Sequence, residues 1–305
     1  MLTLVLAAQL ASAAPPPAWA WSTTAPRRFY AESVTVFSAP QYLYGDENLE
    51  ARLVQSELRV ITTCTTSTDG PRRWQHECTL DRVTMLGASP TDREDKQLEQ
   101  LLTAMDHWLT HASVQIRQRH NGRIVGFDLQ GVPKNNQRIA VTHEFLRSGL
   151  RQMFAGLDFE TPRELQDGVW VQTATRLAEV ADSFGSVPMA HREVSEEAGR
   201  TVYTSFGKGS VDGGRDMRIT GDTLWDQEQG TIVARSWKVI ARERQIAGEV
   251  LPLANAGWIK LLGPDEPPPP MGTTGLWSDH AIRDTATTLM DVLLAGPAPA
   301  TPAKP

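Results

Sequence analysis

Apolar and polar positions alternate in short runs through the first third of the chain. In RFYAESVTVF (28–37), LEARLVQSELRVITTC (49–64) and WQHECTLDRVTML (74–86), β-branched and aromatic residues recur with partial period two, the pattern of strands that bury one face. Thr68-Asp69-Gly70-Pro71 separates the last two runs and is a strong turn signal. A hairpin centred on Pro71 pairs residues whose numbers sum to 142, so Cys64 is expected to face Cys78, with Leu58, Val60 and Leu80 on the same side. A disulfide closing that loop of about 15 residues is worth about 3 kcal/mol in the chain-entropy model.

The period then changes. Thr91-Asp92-Arg93-Glu94 matches a helix capping box, and Leu98, Leu101, Leu102, Met105, Trp108 and Leu109 follow at helical spacing. In VQIRQRHNGRIVGFDL (114–129) the pair Asn121-Gly122 suits a two-residue type I′ turn. That turn opposes Val114 to Leu129 and Ile116 to Phe127. It puts Val114, Ile116, Val125, Phe127 and Leu129 on a dry face, and Gln115, Arg117, Arg119 and Asp128 on a wet one. A second helix is predicted over about 136–155, with Ile139, Leu146, Leu150, Met153 and Phe154 inward and Gly156 as its cap.

Strands return at Gly168–Gln172, Arg192–Val194, Arg200–Phe206, Met217–Trp225, Thr231–Ala241 and Trp258–Leu262, with Asp226–Gly230 as a hairpin loop. The order of strands, helix, hairpin, helix, strands predicts an α+β fold: a curved antiparallel β-sheet, half-barrel-like, with amphipathic helices packed on it. The organisation reads as a signal peptide (1–13), a Pro/Ala-rich leader (14–27), a β-rich half with two helices (28–160) and a second β-rich half of the same domain (161–263). A Pro-rich linker with a C-terminal helix (264–295) and a disordered tail (296–305) complete it.

The N-terminus bears on location. Leu2–Leu10 is a short apolar run followed by Ala11-Ser12-Ala13, which reads as a secretory signal peptide cut near Ala13, although no Lys or Arg precedes it. The run is far shorter than a membrane span, and no transmembrane segment is expected. The expectation is a periplasmic or secreted protein, a compartment that suits a disulfide. The 24 Arg against 6 Lys suggest a GC-rich bacterial genome.

Composition then narrows the chemistry. A chain of 305 residues with a net charge of -6 argues against a nucleic-acid partner, and two cysteines exclude a cysteine-built zinc site. The short motifs of nucleophile elbows, phosphate loops, dinucleotide folds and zinc proteases are missing, and no cofactor is expected. Phe206-Gly-Lys-Gly-Ser-Val-Asp-Gly-Gly214 lacks phosphate-loop spacing and reads as a surface loop. His107 and His111 are four apart but fall on the wet side of their helix, so no metal is assigned. Asp222, Asp226 and Glu228 fit no complete calcium loop, and Glu196-Glu197 and Asp265-Glu266 read as solvated turns. The segment from His111 to Arg151 holds seven Arg and Lys against Asp128 and Glu144; it could attract anionic headgroups or polysaccharide, and it reads first as a solvated sheet face.

Two segments carry a family resemblance. LRQMFAGLDFETPRELQDGVWVQ (150–172) and TLWDQEQGTIVARSWKVIA (223–241) resemble modules of uncharacterised exported bacterial proteins. Those proteins are similar in turn to the curved half-barrel of periplasmic lipoprotein carriers, whose concave apolar face holds acyl chains. The resemblance implies an apolar or lipid-like ligand and transfers no contact to any residue here. Trp170, Trp225, Trp237 and Trp258, large apolar groups on strands, are the ligand-pocket candidates, with core filling as the alternative. The function expected is that of an exported, non-catalytic protein that binds an apolar envelope component. The alternatives are a secreted hydrolase without a short motif, with no catalytic residue assigned, and a structural or assembly partner in the envelope.

Overall fold

The computed structural model describes residues 17–39, 52–88, 107–132, 143, 146–147, 149–151, 153–162, 169–175, 187–197, 199–211, 215–246 and 249–267. The signal peptide, the capping box at Thr91, Ile139, the C-terminal helix and the tail lie outside them. The strands are β1 (Arg27–Ala39), β2 (Arg52–Thr68), β3 (Arg73–Ala88), β4 (Ser113–Arg119), β5 (Ile124–Gln130), β6 (Val169–Thr175), β7 (Val187–Glu197), β8 (Arg200–Val211), β9 (Arg215–Asp226), β10 (Thr231–Ile246) and β11 (Glu249–Leu262).

These strands form one sheet in the order β5-β4-β3-β2-β1-β11-β10-β9-β8-β7-β6, antiparallel throughout. The first and last strands pair at its centre, Phe29 beside Leu261 and Ala31 beside Ile259. Among the described residues β5 and β6 each pair on one side only, and the curved sheet is not closed. The curved antiparallel sheet with helices against it is the architecture expected from the pattern of the sequence.

Local turns set the registers. Cys64 faces Cys78 and is bonded to it. The sum of 142 holds from Thr68–Trp74 to Thr62–Leu80, where a bulge shifts the pairing. Leu58, Val60 and Leu80 are buried on the cysteine face as the hairpin requires. Asp226 pairs with Thr231 across the expected hairpin loop, and Asp226 Oδ1 takes the Gln229 amide at 2.8 Å.

The β4–β5 turn departs from the two-residue form. Arg119 N donates to Arg123 O, which makes the loop three residues long, with Gly122 at φ +91°. A bulge after Ile124 restores the expected pairs Val114–Leu129 and Ile116–Phe127. Val125, expected on the dry face, is therefore 40% exposed, and Ile124 packs against the core in its place. The glycine is required by space as well as by φ, because a Cβ there would strike the Trp19 indole and the Phe159 carbonyl.

Two further expectations change. The segment 206–211 is strand, since β7 supplies a partner at Met189–Gly207 and β9 supplies partners along the rest of the run. Gly156 does not cap a helix by a left-handed turn: it sits in a 3-10 turn, Ala155–Leu157, that follows the helical residues 143, 146–147, 149–151 and 153–154. Its small size is what matters, because a Cβ would run into Ile259 and Trp237.

The inner face of the sheet is filled by this helical segment, by residues 158–161 and by the N-terminal stretch 17–21. Leu146, Leu150, Met153 and Phe154 are buried, as the helical stripe predicts. Trp19 and Trp21, in the stretch read from sequence as a leader, are core residues: they stack at 5.4 Å, and Trp19 meets Trp225 edge-on at 5.0 Å. Glu160 links the two ends of the sheet. Its carboxylate accepts from Asn121 in the β4–β5 loop, and its carbonyl accepts from Trp170 on edge strand β6.

The centre of the outer face is dry as well. Glu32 on β1 and Arg59 on β2 form a buried ion pair at 3.0 Å, with Tyr30 donating to Glu32 and packing against Trp258.

Candidate functional site

Two polar ladders cross the inner face, each built from a hydroxyl, a histidine and a glutamine on three neighbouring strands. In the first, Thr66 of β2 bonds His76 Nδ1 at 2.9 Å, and His76 Nε2 bonds Gln118 Oε1 of β4 at 3.2 Å. Gln118 Nε2 donates to the Gly122 and Leu157 carbonyls, both at 2.9 Å, and Trp21 Nε1 donates to Gln118 Oε1 at 2.7 Å. In the second, Ser205 of β8 bonds His191 Nδ1 at 2.7 Å, His191 Nε2 bonds Gln172 Oε1 of β6 at 2.9 Å, and Gln172 Nε2 reaches the Asp158 carbonyl.

The geometry behind the two is the same. Each hydroxyl lies directly across from its histidine, and each glutamine lies two residues beyond the position opposite that histidine, which Ile116 and Trp170 occupy. A half turn about the sheet normal between β10 and β11 exchanges β2 with β8, β3 with β7 and β4 with β6. Both ladders end on neighbouring carbonyls of the segment that plugs the sheet. The glutamine amides fix the tautomer: with Nε2 of each glutamine donating to a carbonyl, its Oε1 accepts from histidine Nε2–H, so Nδ1 accepts from the hydroxyl.

Burial keeps these imidazoles neutral. Desolvation lowers His76 to about 4, with Arg27 adding to the effect and the Gln118 bond opposing it. Desolvation lowers His191 to about 3, with Arg235 adding to it. The Ser205–His191 contact has the form of a nucleophile and its base. The same arrangement occurs with Thr66 in the other half, and all these side chains are sealed in the core, so the pairs serve as struts that hold residues 157–158 against the sheet.

Between the ladders stands Arg235 of β10, 5% exposed, its guanidinium 5.5 Å over the Phe159 ring. Nη1 donates to the carbonyls of Ala155, Gly156 and Asp158 at 3.4, 3.2 and 2.9 Å. Desolvation lowers its pKa to about 10. The Asp158 carboxyl turns away to accept the Ile124 amide at 3.1 Å, and desolvation raises it to about 6 against that bond and the charge of Arg235.

Beside Arg235 the β9–β10 ladder parts. Cα partners run from Arg235–Thr223 to Lys238–Thr220, and between them the Asp222 amide is taken by the Ser236 hydroxyl. Gly221 comes so near the Ser236 carbonyl that a Cβ would not fit. The recess at this parting is lined by Met189, Ser205, Ile219, Gly221, Arg235 and Trp237 and has room for about one water molecule.

The four candidate tryptophans take different places. Trp237 lines the recess, with Nε1 bonded to Asn255 at 2.7 Å. Trp170 and Trp225 pack around Phe159 in the aromatic core of the inner face. Trp258 lies on the opposite face, against Tyr30. His107 and His111 are exposed, and Asp222 and Asp226 go separately to Thr204 and Gln229. Among the described residues no cluster of His, Cys, Asp or Glu could hold a metal. Arg235, His76 and His191 were missed by the sequence reading; the one signal they gave was a polar residue at an inward position of a strand.

The class so defined is an open, curved antiparallel sheet whose inner face is plugged by its own chain, leaving a narrow recess beside a buried arginine. No family model matches the chain, and no curated protein matches it. Among solved structures it is similar to lipovitellin, in a structure concerned with lipid–protein interactions, at 10% identity and a TM-score of 0.48, over 83% of this chain and 27% of that one. An outer membrane channel from Pseudomonas putida F1 aligns at 6% identity and a TM-score of 0.18, over 80% of this chain and 97% of that one. The chain thus spans about a quarter of the length of lipovitellin. Neither superposition is close enough to assign a ligand. Among the described residues no helix is long and apolar enough to cross a membrane.

Proposed function

We propose that this protein is exported and, without catalysing a reaction, binds an apolar, lipid-like component of the cell envelope on the inner face of its sheet, beside Trp237. The observation that carries this reading is the recess where β9 and β10 part. It is lined by Met189, Ile219 and Trp237, and it lies on the inner face of a sheet left open at both edges. Apolar surface gathered at a parting between strands is where a hydrocarbon chain gains most by leaving water. Between Arg235–Thr223 and Lys238–Thr220 the β9–β10 ladder has no Cα partners, so a ligand entering there has fewer strand pairings to displace.

Export is part of the proposal and rests on the apolar run Leu2–Leu10 with Ala11-Ser12-Ala13, together with the Cys64–Cys78 bond. A reporter fusion lacking residues 1–13 should stay in the cytoplasm, and its export would refute this half. Ligand binding is tested by native mass spectrometry on protein purified from its own envelope or medium, followed by solvent extraction. A retained lipid-sized mass is the expected result. A clean apo mass together with no uptake of a fluorescent fatty acid would overturn the reading and leave an envelope assembly role as the one to pursue.

A further inference from the structure

Among the described residues Arg235 is the one charged residue on the lining of that recess. Its Nη1 is used up on three carbonyls of residues 155–158. The Nε–Nη2 edge, which carries three more N–H groups, has no acceptor among the described residues. This is the edge of a guanidinium that forms a planar bidentate pair with a carboxylate. The Asp158 carboxyl acts on Arg235 through its charge but spends its hydrogen bond on the Ile124 amide, and the hydrogen bonds of Arg235 to its segment are all to main-chain oxygen.

Two other donors on the lining are committed. Trp237 Nε1 goes to Asn255, and the Ser205 hydroxyl proton goes to His191 Nδ1. The guanidinium is the charged group of the lining, while Met189, Ile219 and Trp237 supply its apolar wall. A buried cation hydrogen-bonded only to neutral carbonyls gains more from an anion in direct contact than an exposed one does, because little water screens either charge, and the nearby Asp158 charge reduces that gain without removing it.

We propose that the ligand is an acyl chain ending in a carboxylate, with the carboxylate paired to the Nε–Nη2 edge of Arg235 and the chain along Met189, Ile219 and Trp237. This rests on the apolar-ligand reading above and specifies its head group. An alkyl phosphate would meet the same cation without matching its planar fork, and a neutral chain would leave the cation as it is.

The test is isothermal titration of the full-length protein with dodecanoate, dodecanol, dodecyl phosphate and dodecylammonium, below their micelle concentrations. Dodecanoate should bind at least about tenfold tighter than dodecanol, as a charge-assisted hydrogen bond implies, dodecyl phosphate should fall between them, and dodecylammonium should bind most weakly. Arg235→Gln should abolish the preference for the acid, bringing dodecanoate to the level at which the variant binds dodecanol. Equal binding of acid and alcohol by the wild-type protein would overturn the anchor and leave the apolar site standing. Tighter binding of the phosphate than of the acid would overturn the carboxylate assignment. Binding of none of the four would overturn the apolar site and the anchor together. The wild-type series decides the matter without the variant, should Arg235→Gln fail to fold.

Discussion

Acid should unfold this protein through its two buried histidines. In the unfolded chain both titrate near 6.5, whereas in the fold His76 is lowered to about 4 and His191 to about 3, chiefly by desolvation. A histidine kept neutral by the fold stabilises fully above its unfolded pKa and loses that contribution as pH falls from 6.5 towards its folded value. The full losses are about 3 kcal/mol for His76 and about 5 kcal/mol for His191. Asp158 acts in the opposite sense. Its carboxyl, ordinarily near 3.8, is raised to about 6, so its ionisation weakens the fold above pH 6 and about 3 kcal/mol returns as pH falls through 6 towards 3.8.

Arg27 and Arg235, the cations nearest the histidines, stay charged across this range. The net effect is a loss of about 3 kcal/mol by about pH 4.5 and about 5 kcal/mol by about pH 3, a large share of the stability of an ordinary domain. Urea titrations followed by tryptophan fluorescence at half-unit steps from pH 7.5 to 3.5 measure it directly. Stability that stays flat or rises between pH 6.5 and 4.5 would refute the ladders as neutral struts. His191→Gln should flatten the slope by about 1.4 kcal/mol per pH unit between pH 6 and 4.

The two glutamines should differ in worth. Gln118→Leu leaves Trp21 Nε1 and His76 Nε2 without their acceptor and frees two carbonyls, so a loss of about 3 to 4 kcal/mol in urea is expected. Gln172→Leu, which breaks one bond to His191 and a longer one to Asp158 O, should cost about 2 kcal/mol, and a reversed ranking would count against the ladder description. Replacing Cys64 and Cys78 by Ser should cost about 3 kcal/mol with the fold retained, as circular dichroism would report. Gly122→Ala combines a left-handed φ with a clash on Trp19 and the Phe159 carbonyl, so its melting temperature should fall well below that of Gly70→Ala, where φ is similar but space is open.

The hairpins and the helical stripe were legible in the chain because their causes are local. The Thr68–Pro71 turn sets which residue meets Cys64, Asp226–Gly230 closes the next hairpin, and a period near 3.6 turns Leu146, Leu150 and Met153 one way. Even the misread β4–β5 turn recovered its register within a few residues, since the bulge after Ile124 returns the apolar set to the dry face.

The order of the strands was decided elsewhere. Nothing near Phe29 names Leu261 as its neighbour; that pairing closes a loop of over two hundred residues and is set by the summed burial of the whole sheet. The candidate site was illegible for a related reason. Period two separates the faces of a strand without saying what each will meet, so His76, Gln118, His191 and Arg235 looked like polar interruptions and Trp19 like part of a leader. Their roles depend on residues 155–161 crossing the inner face, where carbonyls of one segment meet donors from strands in both halves of the sheet. The sequence by itself determined hairpins, helix face and disulfide, which turn chemistry and side-chain period dictate over a few residues. Tertiary structure alone decided which polar groups would be buried together, because a buried hydrogen bond or charge exists only where distant segments exclude water from both partners.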